Sequence, residues 1–201
     1  NNAMKKNPRL NYDTYPYNAF STEIGSAVFE DGCLEGWGKD YKDILLTDDP
    51  YKNVYCNEEI FRDAREKYPK MLAVAFVMNE DEICAAITNP NGMVASDAII
   101  NHGGGHPRAA GTFPRVLGKY VREEKALPLI DAIRKMTLEP AKRLEMDAKG
   151  RIEVGCDADI TIFDPETIID KADFSELKRP EGINWVLLHG NPAIENGEVV
   201  N

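Results

Sequence analysis

The stretch GMVASDAIINHGGGHPRAAGTFPRVLG, Gly92 to Gly118, contains in order an apolar run, three consecutive glycines and a segment with helical spacing. The run Gly92–Ile100 predicts a buried strand. Thr112 is predicted to cap a helix that tolerates Pro114 in its first turn. The apolar positions of this helix predict a core stripe of Phe113, Val116, Leu117, Tyr120 and Val121. A strand, a loop and a helix in this order are typical of a parallel sheet with helices packed on it.

The chain upstream repeats this pattern with one long interruption. The run LNYDTYPY from Leu10 predicts a short strand, whereas residues 18–55 show no sustained period and predict a long irregular excursion. Glu58–Tyr68 predicts a helix and Met71–Met78 an apolar strand, and Asn79 is predicted to cap the helix EDEICAAIT. With only two or three such strands, the chain is either a small open α/β domain or the end of a (β/α)₈ barrel, which needs about 250 residues.

Near Lys149 the sequence changes from helical spacing to the alternating pattern of β-strands. Short helices are predicted over residues 128–138 and from Pro140. The run RIEVGCDADITIFD then alternates like a hairpin, and NWVLLHGNPAIENGEVV from Asn184 predicts strand, turn and strand. The chain is therefore expected to end in a β-rich module at residues 149–201.

The composition excludes several classes of protein. Of the 201 residues, 43 % are hydrophobic, which supports a folded core, and the net charge of −10 disfavours nucleic acid or an anionic membrane as partner. No apolar run approaches the roughly 18 residues of a membrane span, and no secretory signal is recognised. The run Asn1–Ala3 before Met4 is interpreted as a cloning scar. The scattered cysteines predict reduced thiols in a cytoplasmic protein; they are Cys33, Cys56, Cys84 and Cys156.

The glycine-rich loop suggests three kinds of functional site, namely an oxyanion loop, a phosphate-binding loop and a histidine metal site. Each would need a further sequence or structural feature that is missing here. The run HGGG from His102 resembles an oxyanion loop, but no G-x-S-x-G nucleophile elbow occurs in the chain. A phosphate-binding G-x-x-x-x-G-K-[ST] run is missing as well. His102 and His106 would converge on a metal only on a helix, which three glycines disfavour. A mobile surface loop is the commoner outcome.

Polar residues at the predicted strand ends are the candidates for chemistry. Asp97 follows an apolar strand, and in parallel α/β folds that end carries the active site. Spacing alone slightly favours a simpler role, in which Asp97 caps the loop. Arg108 offers a planar fork suited to a carboxylate, although an exposed arginine is commoner. Tyr15, Tyr17 and Ser21 end the first strand and would donate hydrogen bonds into the same active-site opening, unless they form only an aromatic core or a turn.

Several segments together carry a family signature, namely ASD, HPRAAGTFPRVLGKYVREE, RKMTLEPAKRL, KGRIEVGCDADITIFDP and PEGINWVLLHG. They closely resemble the carboxyl-terminal part of N-acyl-D-amino-acid deacylases, members of the amidohydrolase superfamily. The similarity begins weakly at DTYPYNAFST and is strong from Met93 to Glu198. The resemblance implies the end of a zinc-dependent (β/α)₈ barrel and strands of a small β-sandwich. It places barrel units at residues 4–148, an insertion at about 18–78 and the sandwich strands at 149–201.

The resemblance also implies roles for individual residues. Asp97 matches the general base and acid that acts through zinc-activated water, and Arg108 matches the arginine that clamps the substrate carboxylate. Tyr15 and Ser21 match residues that hold the substrate, an N-acyl-D-amino acid that is hydrolysed to a carboxylate and a free D-amino acid. Phe20 stands where a small residue is common in the family, which alters the expected pocket.

The departures from the family concern the metal. Family members bind zinc through an H-x-H pair, a bridging residue that is often Cys, and two later histidines, all upstream of the matched part. The histidines His102, His106 and His189 follow Asp97 and are not those ligands, and Asp97 remains a weak candidate ligand. The chain is therefore expected to be a fragment that lacks the amino-terminal barrel half, binds no zinc, is inactive alone and self-associates through exposed strand edges.

Two other functions remain open. A fragment of a cyclic amidohydrolase of the dihydroorotase or hydantoinase type shares the superfamily, but HPR with GTFPRVLG favours the deacylase branch. A metal-free binding or structural module is the alternative from a different class.

Overall fold

The computed structural model describes residue 7 and residues 10–101 and 104–200. The proposed cloning scar at residues 1–3 lies outside the described residues. Two parallel strands, β1 (Tyr12–Thr14) and β6 (Gly92–Val94), pair in register from Tyr12 opposite Gly92 to Thr14 opposite Val94. This confirms the two predicted strands and their parallel arrangement.

The second strand is much shorter than predicted. It ends at Val94, because Asp97 takes a φ of 46°, which an extended strand does not allow. The chain beyond Asp97 forms a small antiparallel ribbon instead, in which β7 (Ile100–Asn101) pairs with β8 (Gly104–Gly105). The glycines therefore lie partly in regular structure, and His102 lies outside the described residues.

Helices pack beside the parallel pair. Asn79 caps α3 (Glu80–Thr88) by accepting a hydrogen bond from the Asp81 amide, as predicted. Two further helices, α5 (Leu129–Met136) and α6 (Leu138–Arg143), follow close to their predicted positions. The shared core is a set of buried apolar side chains: Ile83, Ile87, Val94, Val116, Leu117, Tyr120, Leu127, Ala132 and Ile168.

The helix after the glycines begins earlier than predicted. It comprises α4 (Arg108–Arg115) and a π-helical continuation at Val116–Glu123. Thr112 is not its cap but an internal residue, whose hydroxyl donates to the Arg108 carbonyl at 2.8 Å. The predicted stripe is wrong for Phe113, which is 43 % exposed. The buried face of α4 runs through Arg108, Gly111 and Thr112, and Phe113 lies a further 100° round the helix.

The predicted irregular excursion at residues 18–55 is wrong, because this region folds into a sheet with its own core. Strands β2 (Phe20–Glu23), β3 (Ile44–Leu46), β4 (Val54–Tyr55) and β5 (Leu72–Ala75) form an antiparallel sheet in the order β2-β5-β3-β4. The strands are too short to show a period in the sequence. The apolar strand predicted at Met71–Met78 is confirmed, but its partners are antiparallel.

Two helices cover this antiparallel sheet, α1 (Cys33–Trp37) and α2 (Glu58–Lys67). The second was predicted, and the Asn57 side chain caps it by accepting from the Ile60 amide at 2.8 Å. The sheet and these helices enclose a core of their own, which includes Ile24, Phe29, Ile44, Leu46, Phe61, Ala64 and Ala73.

The carboxyl-terminal module is a four-stranded antiparallel sheet in the order β12-β11-β10-β9. Its strands are β9 (Ile160–Phe163), β10 (Ile183–Leu188), β11 (Asn191–Glu195) and β12 (Glu198–Val199). The strand, turn and strand from Asn184 are confirmed. The hairpin predicted from Arg151 is wrong, because only β9 forms there and Ile152 and Val154 are exposed.

The segment that joins β9 to β10 returns to the rest of the protein. Ile168 is buried in the helical core, and the Phe174 ring packs on Phe76 at 4.6 Å between ring centres. This connection ties the module to both other parts of the fold. Among the helices of the described chain, none combines the length and the apolar character that crossing a bilayer requires.

Candidate functional site

The candidate site is centred on an ion pair between Asp97 and Arg108. Arg108 Nη2 lies 3.0 Å from Asp97 Oδ2 and also donates to the Ser21 backbone carbonyl at 3.3 Å. The two side chains differ sharply in exposure, since 2 % of the Arg108 side chain but 66 % of the Asp97 side chain is accessible. The arginine is thus fixed inside the protein, while its aspartate partner faces solvent.

Two hydrogen-bond donors of the Arg108 guanidinium are unused. Its Nε and Nη1 atoms are buried, and neither has a hydrogen-bond partner among the described residues. Leaving buried donors of a charged group unpaired costs stability, so such groups normally have partners. The guanidinium carbon lies 4.5 Å from the centre of the Tyr15 ring, a cation–π contact that holds its plane. The site therefore contains an oriented cation with unused donors.

The main chain brings these residues together at one edge of the parallel pair. Tyr15 directly follows β1, and Asp97 follows β6 by three residues. Arg108 opens α4, and Ser21 lies on β2. The carboxyl ends of parallel strands are where side chains leave the core and become available for chemistry. Burial raises the pKa of the Tyr15 hydroxyl, so it stays a neutral phenol near neutral pH.

The predicted site residues are thus adjacent, with one difference. Asp97, Arg108 and Tyr15 contribute side chains, whereas Ser21 contacts Arg108 through its backbone carbonyl.

His106 belongs to the site, although its sequence pattern indicated a mobile loop. That prediction is wrong, because only 2 % of His106 is exposed. Its Nδ1 accepts from the Arg108 amide at 3.0 Å, and its Nε2 lies 2.9 Å from the Ala19 carbonyl. Burial, with a contribution from the Arg108 charge, lowers the pKa of His106 to about 3. Both ring nitrogens of this neutral imidazole are occupied, so it is not a metal ligand here.

A second arginine network lies two helical turns further along α4 and was not predicted. Arg115 donates from Nε to the Pro16 carbonyl at 2.8 Å and from Nη1 to Asp170 at 3.1 Å. The Tyr17 hydroxyl donates to the same Asp170 carboxylate at 3.1 Å. Gly111 permits this approach, because a Cβ there would lie 2.2 Å from the Tyr17 oxygen. The only sequence signal was the spacing of the two arginines.

Metal-binding side chains are not gathered at this site. Within residues 10–101 and 104–200, no three His, Cys, Asp or Glu side chains are grouped so that they could hold a metal ion. Asp97 is engaged by Arg108, and His189 lies in the carboxyl-terminal module, where its amide donates to Asp159. The described residues therefore do not fit a zinc site by themselves.

One family model and several known proteins match this chain. The profile of the amidohydrolase family matches residues 28–193. A D-aminoacylase from Alcaligenes xylosoxydans xylosoxydans is 31 % identical over 193 residues, which cover 92 % of this chain and 38 % of the relative. An N-acyl-D-glutamate deacylase from the same organism is 40 % identical over 119 residues, covering 59 % of this chain and 24 % of the relative.

The fold agrees with this relationship. The crystal structure of N-acyl-D-glutamate deacylase from Bordetella bronchiseptica, complexed with zinc and a phosphonate inhibitor, superimposes with a TM-score of 0.81 at 29 % identity. The match covers 98 % of this chain and 43 % of that structure. The chain thus spans less than half the length of the relatives it matches. From its profile match, its sequence relatives and its fold, the chain belongs to the amidohydrolase family.

Proposed function

We propose that this chain is the carboxyl-terminal portion of a zinc-dependent N-acyl-D-amino-acid deacylase, which hydrolyses the amide of its substrate to a carboxylate and a free D-amino acid. The relatives named above are deacylases of this kind, and the chain matches 38 % of one and 43 % of another. The observation that carries the proposal is the buried Arg108 guanidinium with unpaired Nε and Nη1 donors beside Asp97.

In this proposal the three parts of the fold have distinct origins. Residues 4–148 are the last strand and helix units of a (β/α)₈ barrel, with β1 and β6 as its neighbouring parallel strands. The antiparallel sheet at residues 20–75 is an insertion between them, within the expected range of about 18–78. Residues 149–201 are strands of a β-sandwich. The parallel pairing of β1 with β6 and the separate core of the inserted sheet support this division.

Arg108 binds the carboxylate of the N-acyl-D-amino acid. A guanidinium binds a carboxylate through paired hydrogen bonds, and it does so most strongly where water is excluded. Tyr15 holds the guanidinium plane from one side, and the Ser21 strand provides a carbonyl on its edge. Substrate binding displaces Asp97 from Arg108, because both carboxylates compete for the same cation.

Once displaced, Asp97 is free to act on protons. Its carboxylate is exposed and accepts a proton while water attacks the amide carbonyl, then returns it to the leaving nitrogen. Zinc would supply polarisation of the carbonyl and activation of water, as it does generally in hydrolases. From the resemblance to the family, we assign its ligands to a part of the enzyme outside this chain.

The open strand edges support a further proposal about assembly. Within the described chain, β1 and β6 pair only with each other, so the outer edge of each is unpaired. Unpaired edges favour association with another strand. We expect the purified chain to form dimers or larger species in analytical ultracentrifugation, and a monomer at all concentrations would contradict this.

The decisive experiment compares binding with turnover. We expect the chain to bind N-acetyl-D-methionine in calorimetry and not its carboxamide analogue, which cannot pair with Arg108. With zinc added, we expect hydrolysis only by the longer protein that contains this chain. Equal binding of acid and amide would overturn the carboxylate clamp, and robust turnover by the isolated chain would overturn its assignment as a portion of the enzyme. Specific binding without any turnover by the longer protein would instead favour a metal-free binding module.

A further inference from the structure

His106 connects two separate supports of Arg108. Its Nδ1 accepts the hydrogen bond of the Arg108 amide at 3.0 Å, and its Nε2–H donates to the Ala19 carbonyl at 2.9 Å. A neutral imidazole has one acceptor and one donor, so these two contacts use the ring completely and define its tautomer. The imidazole is thus a bridge between the start of α4 and the chain just before β2.

Both hydrogen-bond partners of the His106 ring are close in the chain to groups that position the Arg108 guanidinium. Arg108 is the first residue of α4, where amides lack a partner within the helix, and the preceding residue Pro107 provides no side-chain cap. His106 supplies that cap. Ala19 lies two residues before Ser21, whose carbonyl accepts from Arg108 Nη2. The ring therefore sets both the backbone of Arg108 and the strand beside its side chain.

Aromatic rings prevent the imidazole from turning. Tyr17 meets it edge-on with ring centres 5.2 Å apart, and Phe174 does so at 4.9 Å. Phe174 belongs to the segment between β9 and β10, so the carboxyl-terminal module also takes part in holding the ring. A buried side chain locked on several sides transmits its position to the groups that it binds.

We propose that His106 is a positioning residue for carboxylate binding, which holds the Arg108 backbone and the Ser21 strand in place without touching the ligand. This inference rests on the proposed function of Arg108 as a carboxylate clamp. It assigns to the histidine of HPR a role distinct from metal binding.

The test uses two substitutions of His106. His106→Phe keeps the ring packing but removes both hydrogen bonds. His106→Asn restores an acceptor for the Arg108 amide, since an asparagine oxygen is a favoured cap. Tyr17→Phe is the matched control, because it removes the hydroxyl that donates to Asp170 at 3.1 Å and lies 3.5 Å from the Pro107 carbonyl, while keeping its ring against His106. Thermal unfolding of each variant gives its stability, and calorimetry with N-acetyl-D-methionine gives its affinity.

We expect His106→Phe to weaken binding of N-acetyl-D-methionine by about tenfold or more, as misplacement of a binding group does. His106→Asn should recover a large part of this loss, and Tyr17→Phe should bind within about twofold of the unmodified chain, which is close to the scatter of neutral changes. Unchanged affinity in His106→Phe, or a loss in Tyr17→Phe that follows its loss of stability, would overturn the inference. If His106→Phe does not fold, the comparison of His106→Asn with the control decides.

A readout without ligand separates this inference from the proposed function. Hydrogen exchange at the Arg108 amide should be about tenfold faster in His106→Phe than in the unmodified chain, because its acceptor is gone. Should the unmodified chain not bind the ligand, the proposed clamp fails, and the exchange rate still decides whether His106 holds Arg108. Unchanged exchange would overturn the positioning role.

Discussion

Arg108 and Arg115 lie on one face of the same helix, and each contacts a tyrosine ring and an aspartate. The two ion pairs differ in which member is the more exposed. Arg108 stacks on Tyr15 and pairs with Asp97, and Arg108 is buried while Asp97 is exposed. Since an exposed partner can leave without stranding its own charge, this pair can exchange Asp97 for another carboxylate.

Arg115 shows the reverse arrangement. It lies over the Tyr17 ring at 4.8 Å and pairs with Asp170, but here the aspartate side chain is 6 % exposed and the arginine 27 %. Asp170 also accepts from Tyr17, so its removal would leave two donors unpaired. We therefore expect the set with the buried Asp170 to serve the fold and the set with the exposed Asp97 to serve binding.

The largest expected effect on binding is the loss of affinity when Arg108 is replaced. Arg108→Met keeps a long apolar stem but removes every donor, and we expect the affinity for N-acetyl-D-methionine to fall by about a hundredfold, in line with the 2–5 kcal/mol found for buried charge pairs. Calorimetry measures this directly. Arg115→Met is the matched control on the same helix face, and equal losses of affinity in the two variants would erase the distinction between the networks.

Asp170→Asn should lower the free energy of unfolding and leave the affinity for N-acetyl-D-methionine unchanged. The substitution leaves the Arg115 charge without its buried partner, which costs about 3 kcal/mol when an ion pair is broken. Urea unfolding measures the change, and calorimetry should show unchanged affinity. A stable Asp170→Asn chain would mean that the second network does not hold α4 to the segment between β9 and β10.

Acid should destabilise the fold through His106. Its pKa is lowered from 6.5 to about 3, so below pH 6.5 the unfolded chain takes up a proton that the folded chain does not. This contribution to stability is complete above pH 6.5 and is lost as the pH falls toward 3, by about 1 kcal/mol per pH unit. Urea unfolding between pH 7 and pH 4 measures the slope. His106→Asn lacks this group, and an identical slope in that variant would contradict the assignment.

Asp97→Asn is expected to change stability and affinity in opposite directions. The substitution leaves the buried Arg108 guanidinium without its anionic partner, so the free energy of unfolding should fall by about 1–3 kcal/mol. The same variant should bind N-acetyl-D-methionine more tightly, because the competing carboxylate is gone. Calorimetry and urea unfolding on one preparation test both points. Weaker binding of the ligand by Asp97→Asn would show that Asp97 does not compete for Arg108.

Elements with a clear local pattern were predictable. The helix α2, the helix α3 with its Asn79 cap, and the final strand, turn and strand occur close to where the sequence predicts them, and both parallel strands form, the second of them shortened. The two helices depend on neighbours within a few residues, such as the Asn79 side chain that accepts from the Asp81 amide at the start of α3. The start of α4 was missed because its cap comes from His106, a residue rarely used for that purpose.

Long-range pairing explains the remaining errors. The strands β2 to β5 have two to four residues each, and β2 and β3 both pair with β5, which lies more than 25 residues further along the chain. The glycines that precede His106 predict a mobile loop. In the folded chain the imidazole is instead hydrogen-bonded to the Ala19 carbonyl, 87 residues away, and packed against the Phe174 ring. Neither contact can be predicted from the residues adjacent to His106 in the sequence.

The family resemblance, the helices with clear periodicity and the residue types for a carboxylate site can all be read from the amino-acid sequence. Which arginine carries unused donors, which aspartate is exposed and what holds His106 emerge only in the folded chain. The physical reason is that local propensity depends on adjacent residues, whereas burial and ion pairing depend on groups that only the folded chain brings within hydrogen-bond distance.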